Sequence, residues 1–281
     1  MSTTTTTTIG TTVERPPAPA RGWSRERILG HVLMGLWILF GISLVLYLFL
    51  AWSPELFDRY AANYMRGLGV TLSLVVISVL AGAVLSIPIA YGRMSNNRVL
   101  SAFAFGYVYF FRGTPLLAQT YLVYYGLGSF RPELEAVGLW WFFREAWYCA
   151  IFAFALNTSA YQAEILRGAI NSVPRGQWEG AEALGLSNFQ TLRKIIMPQA
   201  LIVALRPYGN EIILMIKGSA IVAIITVYDL MGETRRAYSR SFDFQTYIWA
   251  ALLYLAVVEA LRNAIEWAER YLTRHLTYLH D

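Results

Sequence analysis

Charged side chains are scarce in this chain of 281 residues: Asp, Glu, Lys and Arg together make up 15%, whereas 56% of the residues are hydrophobic. A water-soluble domain carries about 25% charged residues, and here the deficit is concentrated in runs long enough to cross a bilayer. This composition excludes a disordered chain and an ordinary soluble domain. The sequence therefore predicts a polytopic membrane protein.

Cysteine and histidine are almost absent, and a nucleotide-binding loop is missing. Cys149 is the single cysteine, which excludes a disulfide framework and a cysteine-based zinc or iron–sulfur site. The three histidines, His31, His275 and His280, lie near the chain ends, which argues against a metal-dependent intramembrane enzyme. No Gly-x-x-x-x-Gly-Lys-Ser/Thr loop occurs, so the chain cannot hydrolyse ATP by itself.

Six apolar runs satisfy the length of about 20 residues that a hydrocarbon layer of about 30 Å requires. The first run exceeds the roughly 7–15 apolar residues of a secretory signal and has no small-residue cleavage site, so we interpret it as a retained transmembrane helix. The predicted fold is an all-α polytopic membrane bundle of six transmembrane helices. The runs are 31–52, 68–91, 102–127, 147–166, 201–230 and 246–267.

The distribution of basic residues predicts the orientation of these helices. Lys and Arg exceed Asp and Glu by five, and the excess lies in loops, as a topology signal does, rather than on a face for nucleic acid. The tails and loops on one side carry 12 Lys and Arg, and those on the other side carry 7. Both termini are therefore expected in the cytoplasm. The Thr- and Pro-rich stretch 1–28 is predicted to be a disordered tail, and 273–281 a cytoplasmic tail.

The predicted cytoplasmic loop between the fourth and fifth spans has structure of its own. A turn at Pro174 precedes a short helix over 178–184, and Gly185 is placed to end it. Ser187 and Gln190 then form a capping box that begins a second helix, which is expected to run to Pro198. A helix of barely two turns is marginal alone, so it needs packing through Trp178, Ala181 and Leu184. The pattern leaves two functions open, a solvated interfacial helix or a contact with a cytoplasmic partner.

Two segments resemble the EAA loop of ABC-importer permeases of the polar amino-acid subfamily. They are 175–187, with the sequence RGQWEGAEALGLS, and 195–200, with the sequence IIMPQA. Three further segments resemble stretches of the same family. They are Arg112-Gly113-Thr114-Pro115, Asn157-Thr158 with Glu164, and Asn210-Glu211 followed by Lys217. The resemblance covers 68 to the C-terminus and is strongest to permeases for histidine, for lysine, arginine and ornithine, and for opines. Gly180 and Met197 stand where the family more often has Ala and Leu.

This resemblance implies a coupling helix that seats in a groove of an ATPase subunit. The implied coupling residues are Trp178, Glu179, Gly180, Ala181, Ala183, Leu184 and Gly185. It also implies two ATPase subunits that bind ATP and Mg, a second homologous permease subunit and an extracytoplasmic substrate-binding protein. The chain itself is expected to be a multi-pass protein of a bacterial inner membrane. The family core has five helices, so 29–67 would be an extra helix with an outer loop, 68–272 the permease domain and 172–198 its coupling loop.

Ionisable groups inside the spans are costly, by about 2.5–3.5 kcal/mol each on insertion scales, and are candidates for the substrate path. Arg112 can hold a substrate carboxylate or pair with Glu164, and Glu164 can instead cap its turn with Arg167. Glu211 can attract a cationic head group or pair with Arg206. The candidate path residues are Arg112, Thr114, Asn157, Thr158, Glu164, Glu211 and Lys217.

Broken helices that form midplane sites are typical of transporters, and the run 201–230 contains Pro207, Gly209 and Gly218. The last helix instead carries charges at the spacing of a salt-paired ladder, formed by Glu259, Arg262, Glu266 and Arg270.

The predicted function is a non-enzymatic permease subunit of an ATP-driven importer for basic amino acids or opines. A self-contained ion-coupled carrier is the alternative, although such carriers usually have two repeated halves and no repeat is evident.

Overall fold

The computed structural model describes residues 24–50 and 52–274, and every regular element in these ranges is helical. The chain divides into two units, 1–52 and 53–281. Of the two predicted tails, the structure describes 24–28 and 273–274. His275 and His280 lie outside the described residues. The prediction of disorder is wrong for 25–28, which are helical, because the Ser24 hydroxyl accepts from the Arg27 amide at 3.2 Å and caps the start of α1.

The first unit contains one described helix, α1, Arg25–Leu50. The helix is strongly apolar over most of its length, and none of its residues is buried. A helix that is hydrophobic all round needs an apolar environment on every side. This element therefore has the character expected of the predicted first membrane span.

The second unit forms a bundle whose long helices are connected by short ones. Its helices are α2 Pro54–Met94, α3 Arg98–Gly113, α4 Leu116–Tyr121, α5 Arg131–Ala136, α6 Trp140–Phe143, α7 Ala146–Ser172, α8 Arg175–Ala183, α9 Asn188–Thr191, α10 Met197–Gly218, α11 Leu230–Ser241 and α12 Gln245–Thr273. Wide π-type turns follow α4 at Leu122–Gly126 and α9 at Leu192–Ile196, and a 3₁₀ turn follows α10 at Ser219–Ile225.

The helix α2 begins well before the predicted span at 68. Ser53 caps it by accepting a hydrogen bond from the Leu56 amide at 3.3 Å, and Pro54 occupies its first turn. The predicted outer loop is therefore a loop only up to Ser53, and 54–67 form the first turns of a 41-residue helix. Hydropathy alone missed these turns because they carry polar residues.

The helix α7 occupies the centre of the bundle and packs against α2, α3 and α10. Cys149, Ala153 and Phe154 are almost fully buried, and Phe154 joins a core that also includes Leu74 and Val222. At Gly82 on α2 a Cβ atom would overlap the Thr158 side chain of α7 and approach the Ser159 amide to 3.2 Å. This close approach brings the two helix backbones together, as small residues do in membrane bundles.

Two predicted spans are not single helices. The run 102–127 breaks at Thr114 and Pro115, where the backbone is extended, because Pro removes a donor and restricts the preceding residue. The run 201–230 ends as an α-helix at Gly218 and continues as a 3₁₀ turn to Ile225. Thr226 then reverses the chain with a left-handed backbone, at φ 68°.

Four described helical stretches are long and apolar enough to cross a membrane: Arg25–Leu50, Pro54–Met94, Asn188–Ile225 and Gln245–Thr273. The two remaining predicted spans correspond to the broken α3–α4 segment and to α7. The helix α7 is 27 residues long but less apolar, because it carries polar residues, and these are buried against neighbouring helices. The all-α membrane bundle agrees with the prediction from sequence.

Gly82→Ala is expected to destabilise the protein by about 1–3 kcal/mol, the usual cost of overpacking. The new methyl group would displace Thr158, whose hydroxyl is held by a hydrogen bond to Glu211. The thermal midpoint of the detergent-solubilised protein measures the effect. Gly106→Ala on α3 is the matched control, because a Cβ there has no atom within 4 Å. Equal midpoints for the two variants would contradict the close packing of α2 and α7.

Candidate functional site

The loop between α7 and α10 carries the predicted coupling helix. The helix α8 runs from Arg175 to Ala183, and Gly185 follows with φ +70°. The Gly185 amide donates to the Glu182 carbonyl at 2.9 Å, and the Leu186 amide donates to the Ala181 carbonyl at 3.1 Å. These two bonds are the Schellman ending that glycine favours at this position. The predicted glycine stop is therefore present.

One side of α8 packs on the bundle. Ala181 is 2% exposed, and Trp178 packs against the cluster formed by Leu166, Ile170 and Ile196. The prediction that Leu184 completes this apolar face is wrong, because Leu184 is the residue after the last helical turn and is 79% exposed. Ala181 faces the protein's own core, so it is not available to a partner.

The other side of α8 is open. A Cβ atom added at Gly180 would meet no atom within 4 Å, and Glu179 and Ala183 are exposed. Leu184 lies next to this face, and Phe189 on the following helix is 69% exposed. Exposed apolar side chains beside small residues are typical of a surface that another protein covers. We call Glu179, Gly180, Ala183 and Leu184 the exposed face of α8.

The capping box after α8 is present as predicted. The Ser187 hydroxyl accepts from the Gln190 amide at 3.4 Å, and the Gln190 side chain accepts from the Ser187 amide at 3.0 Å. The prediction that this helix ends at Pro198 is wrong. A wide turn at Leu192–Ile196 joins α9 to α10, and Pro198 lies in the first turn of α10, where a missing N–H is tolerated.

A polar network surrounds the break between α3 and α4. The Gln119 amide donates to the Phe111 and Thr114 carbonyls at 2.9 and 3.1 Å and to the Thr114 hydroxyl at 2.8 Å. The Asn157 amide donates to the same Phe111 carbonyl and to the Gln119 side-chain oxygen, at 2.9 and 3.0 Å. These side chains replace the backbone bonds that the break removes. Thr114 and Asn157 therefore have structural partners.

A second network joins α2, α7 and α10 around Glu211. The Thr158 hydroxyl donates to the Glu211 carboxylate at 2.9 Å, and the Gln162 amide donates to the Thr158 oxygen and to the Val79 carbonyl, both at 3.1 Å. Glu211 is only 6% exposed. No cationic side chain among the described residues lies within ion-pair distance of it. Its predicted alternative partner, Arg206, instead pairs with Glu269 at 2.8 Å.

The predicted pair of Arg112 and Glu164 does not form. Glu164 pairs with Arg93 of α2 at 2.8 Å and with Arg167 at 2.7 Å, because these two guanidinium groups saturate its carboxylate. The Arg112 guanidinium lies over the Tyr161 ring, 5.1 Å from its centre. Arg112 is exposed and has no acidic partner within 4 Å among the described residues.

Two adjoining grooves meet at Arg112, Tyr161 and Glu164. One, of about 420 Å³, extends along α3 to Arg93 and Phe105. The other, of about 350 Å³, extends along α7 and α10 to Ala204 and Pro207. Lys217 is exposed and lines neither groove. The structure thus brings Arg112 and Glu164 to one wall, links Thr158 to Glu211 and Asn157 to Thr114, and leaves Lys217 apart.

The predicted ladder on α12 is present for Glu259, Arg262 and Glu266, whereas Arg270 makes a backbone hydrogen bond in place of the predicted ion pair. Arg262 pairs with Glu259 at 2.8 Å and with Glu266 at 3.8 Å, and Arg270 donates to the Glu266 carbonyl at 3.2 Å. Four polar partners were not predicted as site residues from the sequence. They are Gln119, Tyr161 and Gln162, which lie inside apolar runs, and Arg93, which follows the run 68–91.

Comparisons with known proteins agree with this architecture. Residues 82–277 match the family described as binding-protein-dependent transport system inner membrane component. The nopaline transport system permease protein of Agrobacterium fabrum is 44% identical over 73% of this chain and 86% of its own length. The octopine transport system permease protein of Rhizobium meliloti is 40% identical over 77% and 91%. The arginine ABC transporter permease protein of Haemophilus influenzae is 38% identical over 72% and 88%.

Solved structures are similar as well. An amino acid ABC transporter crystallised with histidines is 33% identical, with a TM-score of 0.68, over 76% of this chain and 96% of that chain. An inward-facing MetNI methionine ABC transporter is 19% identical, with a TM-score of 0.64, over 77% and 99%. The second likeness concerns the fold alone.

Gln119→Leu is expected to lower the free energy of unfolding, because it leaves the Thr114 carbonyl without its side-chain donor and leaves the Phe111 carbonyl with Asn157 alone. An unsatisfied buried polar group costs about 1–3 kcal/mol. The thermal midpoint in detergent checks this. Gln177→Leu on α8, where the side chain is exposed, is expected to leave the midpoint nearly unchanged. A Gln119→Leu midpoint within error of the wild type would show that the break is satisfied by other means.

Proposed function

This chain belongs to the family of binding-protein-dependent transport system inner membrane components, and from this membership we propose that it is the permease subunit of an ATP-driven importer for basic amino acids or opines. As a member of the family it is a multi-pass inner membrane protein and a non-catalytic membrane subunit. The named relatives at 38–44% identity carry nopaline, octopine and arginine in their names. All three ligands carry a guanidinium group, which supports the proposed substrate class.

The exposed face of α8 supports a coupling function. The helix is anchored to the bundle through Trp178 and Ala181, while Gly180 and Leu184 remain open to another protein. In the proposed complex an ATPase subunit holds ATP and Mg and presses on this face. A rigid helix anchored on α7 and α10 would pass the displacement into the membrane helices. We propose two ATPase subunits, a second permease subunit and an extracytoplasmic binding protein as the partners.

Glu211 supports the cationic substrate class. It is a buried carboxylate at the depth of the membrane with a single side-chain hydroxyl donor and no ion-paired cation within the described residues. An intramembrane acid without a counter-ion is a candidate for cation binding. Arg112, which stacks on Tyr161 beside the grooves, would receive the substrate carboxylate, since guanidinium groups bind carboxylates bidentately. Glu164, already held by two arginines, would serve to position the helices.

The charge distribution supports an arrangement with both termini in the cytoplasm. The helix α8 then lies on the cytoplasmic side together with the basic loops. The helices α5 and α11 lie on the extracytoplasmic side, because each is separated from α8 by one long helix, α7 or α10.

Glu179→Lys and Gly185→Arg are expected to abolish substrate-stimulated ATP hydrolysis by the reconstituted complex. The first reverses a charge on the exposed face of α8, and the second places a side chain where φ is +70°, which a branched or long residue tolerates poorly. Phosphate release is the measurement. Glu133→Lys on α5, at the opposite side, is the control. Full stimulation in both variants, together with gradient-driven uptake by this chain alone, would favour the ion-coupled carrier.

Glu211→Gln is expected to reduce uptake of arginine by about 10- to 100-fold, the loss of a charge-assisted bond of about 1.5–3 kcal/mol, and to reduce uptake of a neutral amino acid less. Radiolabelled uptake into proteoliposomes measures both. Glu259→Gln on α12, which is half-exposed and paired with Arg262, is the matched control. Unchanged arginine uptake in Glu211→Gln would contradict a cation site at this residue.

A further inference from the structure

The short helix α11 is held in place more firmly than a connecting segment requires. Asp229 caps it by accepting from the Gly232 amide at 2.8 Å. The same carboxylate accepts hydrogen bonds from Tyr254 of α12 at 3.3 Å and from Thr71 of α2 at 3.5 Å. Asp229 is fully buried. The beginning of α11 is therefore tied to two long membrane helices.

Backbone contacts strengthen this attachment. The Thr71 hydroxyl accepts from the Leu230 amide at 3.1 Å. At Gly67 of α2 a Cβ atom would lie 2.9 Å from the Asp229 carbonyl oxygen, so only glycine allows the two segments to approach this closely. Tyr64 donates to the Thr246 carbonyl at 2.7 Å, which joins α2 to the start of α12 just beyond α11.

Two strained residues flank α11. Thr226 precedes it with φ 68°, and Phe242 follows it with φ 52°. They are the two non-glycine residues with positive φ in the described part of the chain. Such conformations cost of order 1–3 kcal/mol each and cluster at functional sites. Both side chains belong to types that rarely adopt this conformation, and the chain uses it at both ends of one helix.

The outward face of α11 is basic and aromatic. Arg235 and Arg240 are exposed, and neither has an acidic group within 4 Å among the described residues. Arg236 is neutralised by Glu233 at 3.6 Å and lies over the Tyr228 ring. A groove of about 480 Å³ runs along this face between tyrosines and guanidinium groups.

Exposed aromatic rings extend this face beyond the helix at both ends. Tyr228 is 57% exposed, Phe242 is 78% exposed and Phe244 is 63% exposed. Arginine and aromatic residues are the types enriched in protein–protein interfaces and in their hot spots. A positively charged patch of this kind fits a negatively charged protein surface. We call Arg235, Arg236, Arg240 and the three rings the α11 surface.

We propose that the α11 surface is the docking site for an acidic segment of the extracytoplasmic binding protein. The inference rests on the proposed function, which requires such a partner and places α11 on the extracytoplasmic side. Because Asp229 and Gly67 fasten α11 to α2 and α12, docking displaces these helices together rather than bending a loose loop. The α11 surface thus joins delivery of the substrate to the membrane bundle at the end opposite to α8.

The test uses the complete transporter in nanodiscs of neutral phosphatidylcholine, with its purified substrate-loaded binding protein as the probe. The readout is the concentration of binding protein that half-maximally stimulates ATP hydrolysis. The double variant Arg235→Glu/Arg240→Glu is expected to raise this concentration at least about tenfold at low salt, since reversed rim charges weaken electrostatic association. Arg131→Glu on α5, an exposed arginine on the same side, is expected to change it less than about twofold.

A salt titration provides the second readout, which does not depend on how well the variant folds. For the wild type, the half-saturating concentration is expected to rise between about 50 and 300 mM salt, because salt screens the charge pairs, whereas the double variant should be nearly insensitive. The proposal is overturned if the double variant has the half-saturating concentration of the wild type, or if Arg131→Glu raises this concentration as much as the double variant does. It is also overturned if the difference appears only when anionic phosphatidylglycerol is added, because the surface would then be a lipid contact. If no concentration of binding protein stimulates the wild type, the proposed function itself fails.

Discussion

The close contact between α2 and α7 is the constraint on which the remaining structure depends. The two helices approach so closely at Gly82 that a single methyl group would collide with Thr158. This approach lets Gln162 reach the Val79 carbonyl and leaves the Thr158 hydroxyl directed at Glu211. Lipid offers no hydrophobic force to bring helices together, so close packing and interhelical hydrogen bonds must do so. The central helix therefore tolerates polar side chains that would be costly if they faced lipid.

The same helix compensates for the break in its neighbour. Thr114 and Pro115 interrupt the span that follows α2, and the carbonyls released there would be unsatisfied in an apolar environment. Asn157 of α7 and Gln119 supply the missing donors at 2.8–3.1 Å. The interruption then leaves Arg112 beside a groove rather than inside a continuous helix. The break and the wall of the candidate substrate groove are thus adjacent in the chain, since Arg112 and Gly113 line the groove and Thr114 follows them.

The two ends of α10 connect surfaces that the proposed transport cycle has to coordinate. At one end, the wide turn after α9 joins α10 to the loop that contains α8. At the other end, the 3₁₀ turn and Thr226 lead to α11. Packed helices move as rigid bodies between discrete arrangements rather than deforming continuously. A displacement of α8 and a displacement of α11 would therefore act on the same membrane helix, which passes Glu211 on the way.

Local patterns predicted much of this protein without any coordinates. The lack of charge indicated the membrane bundle, Gly185 indicated the end of α8, and Ser187 with Gln190 indicated the capping box, because each of these features depends on residues close together in the chain. Pro198 and the polar turns 54–67 misled the same reasoning. A wide turn and an N-terminal cap depend on geometry that hydropathy does not report.

The partners of the charged residues were decided by the tertiary structure. From the sequence, Glu164 had Arg112 and Arg167 as possible partners, and the fold selected Arg167 together with Arg93, which lies 71 positions away. Leu184 was expected to pack and is exposed, since the helix ends one residue before it. The sequence by itself determined the family, the membrane character and the end of α8 at Gly185. Only the fold decided which partner each buried acid has, because pairing across helices depends on how the backbones cross.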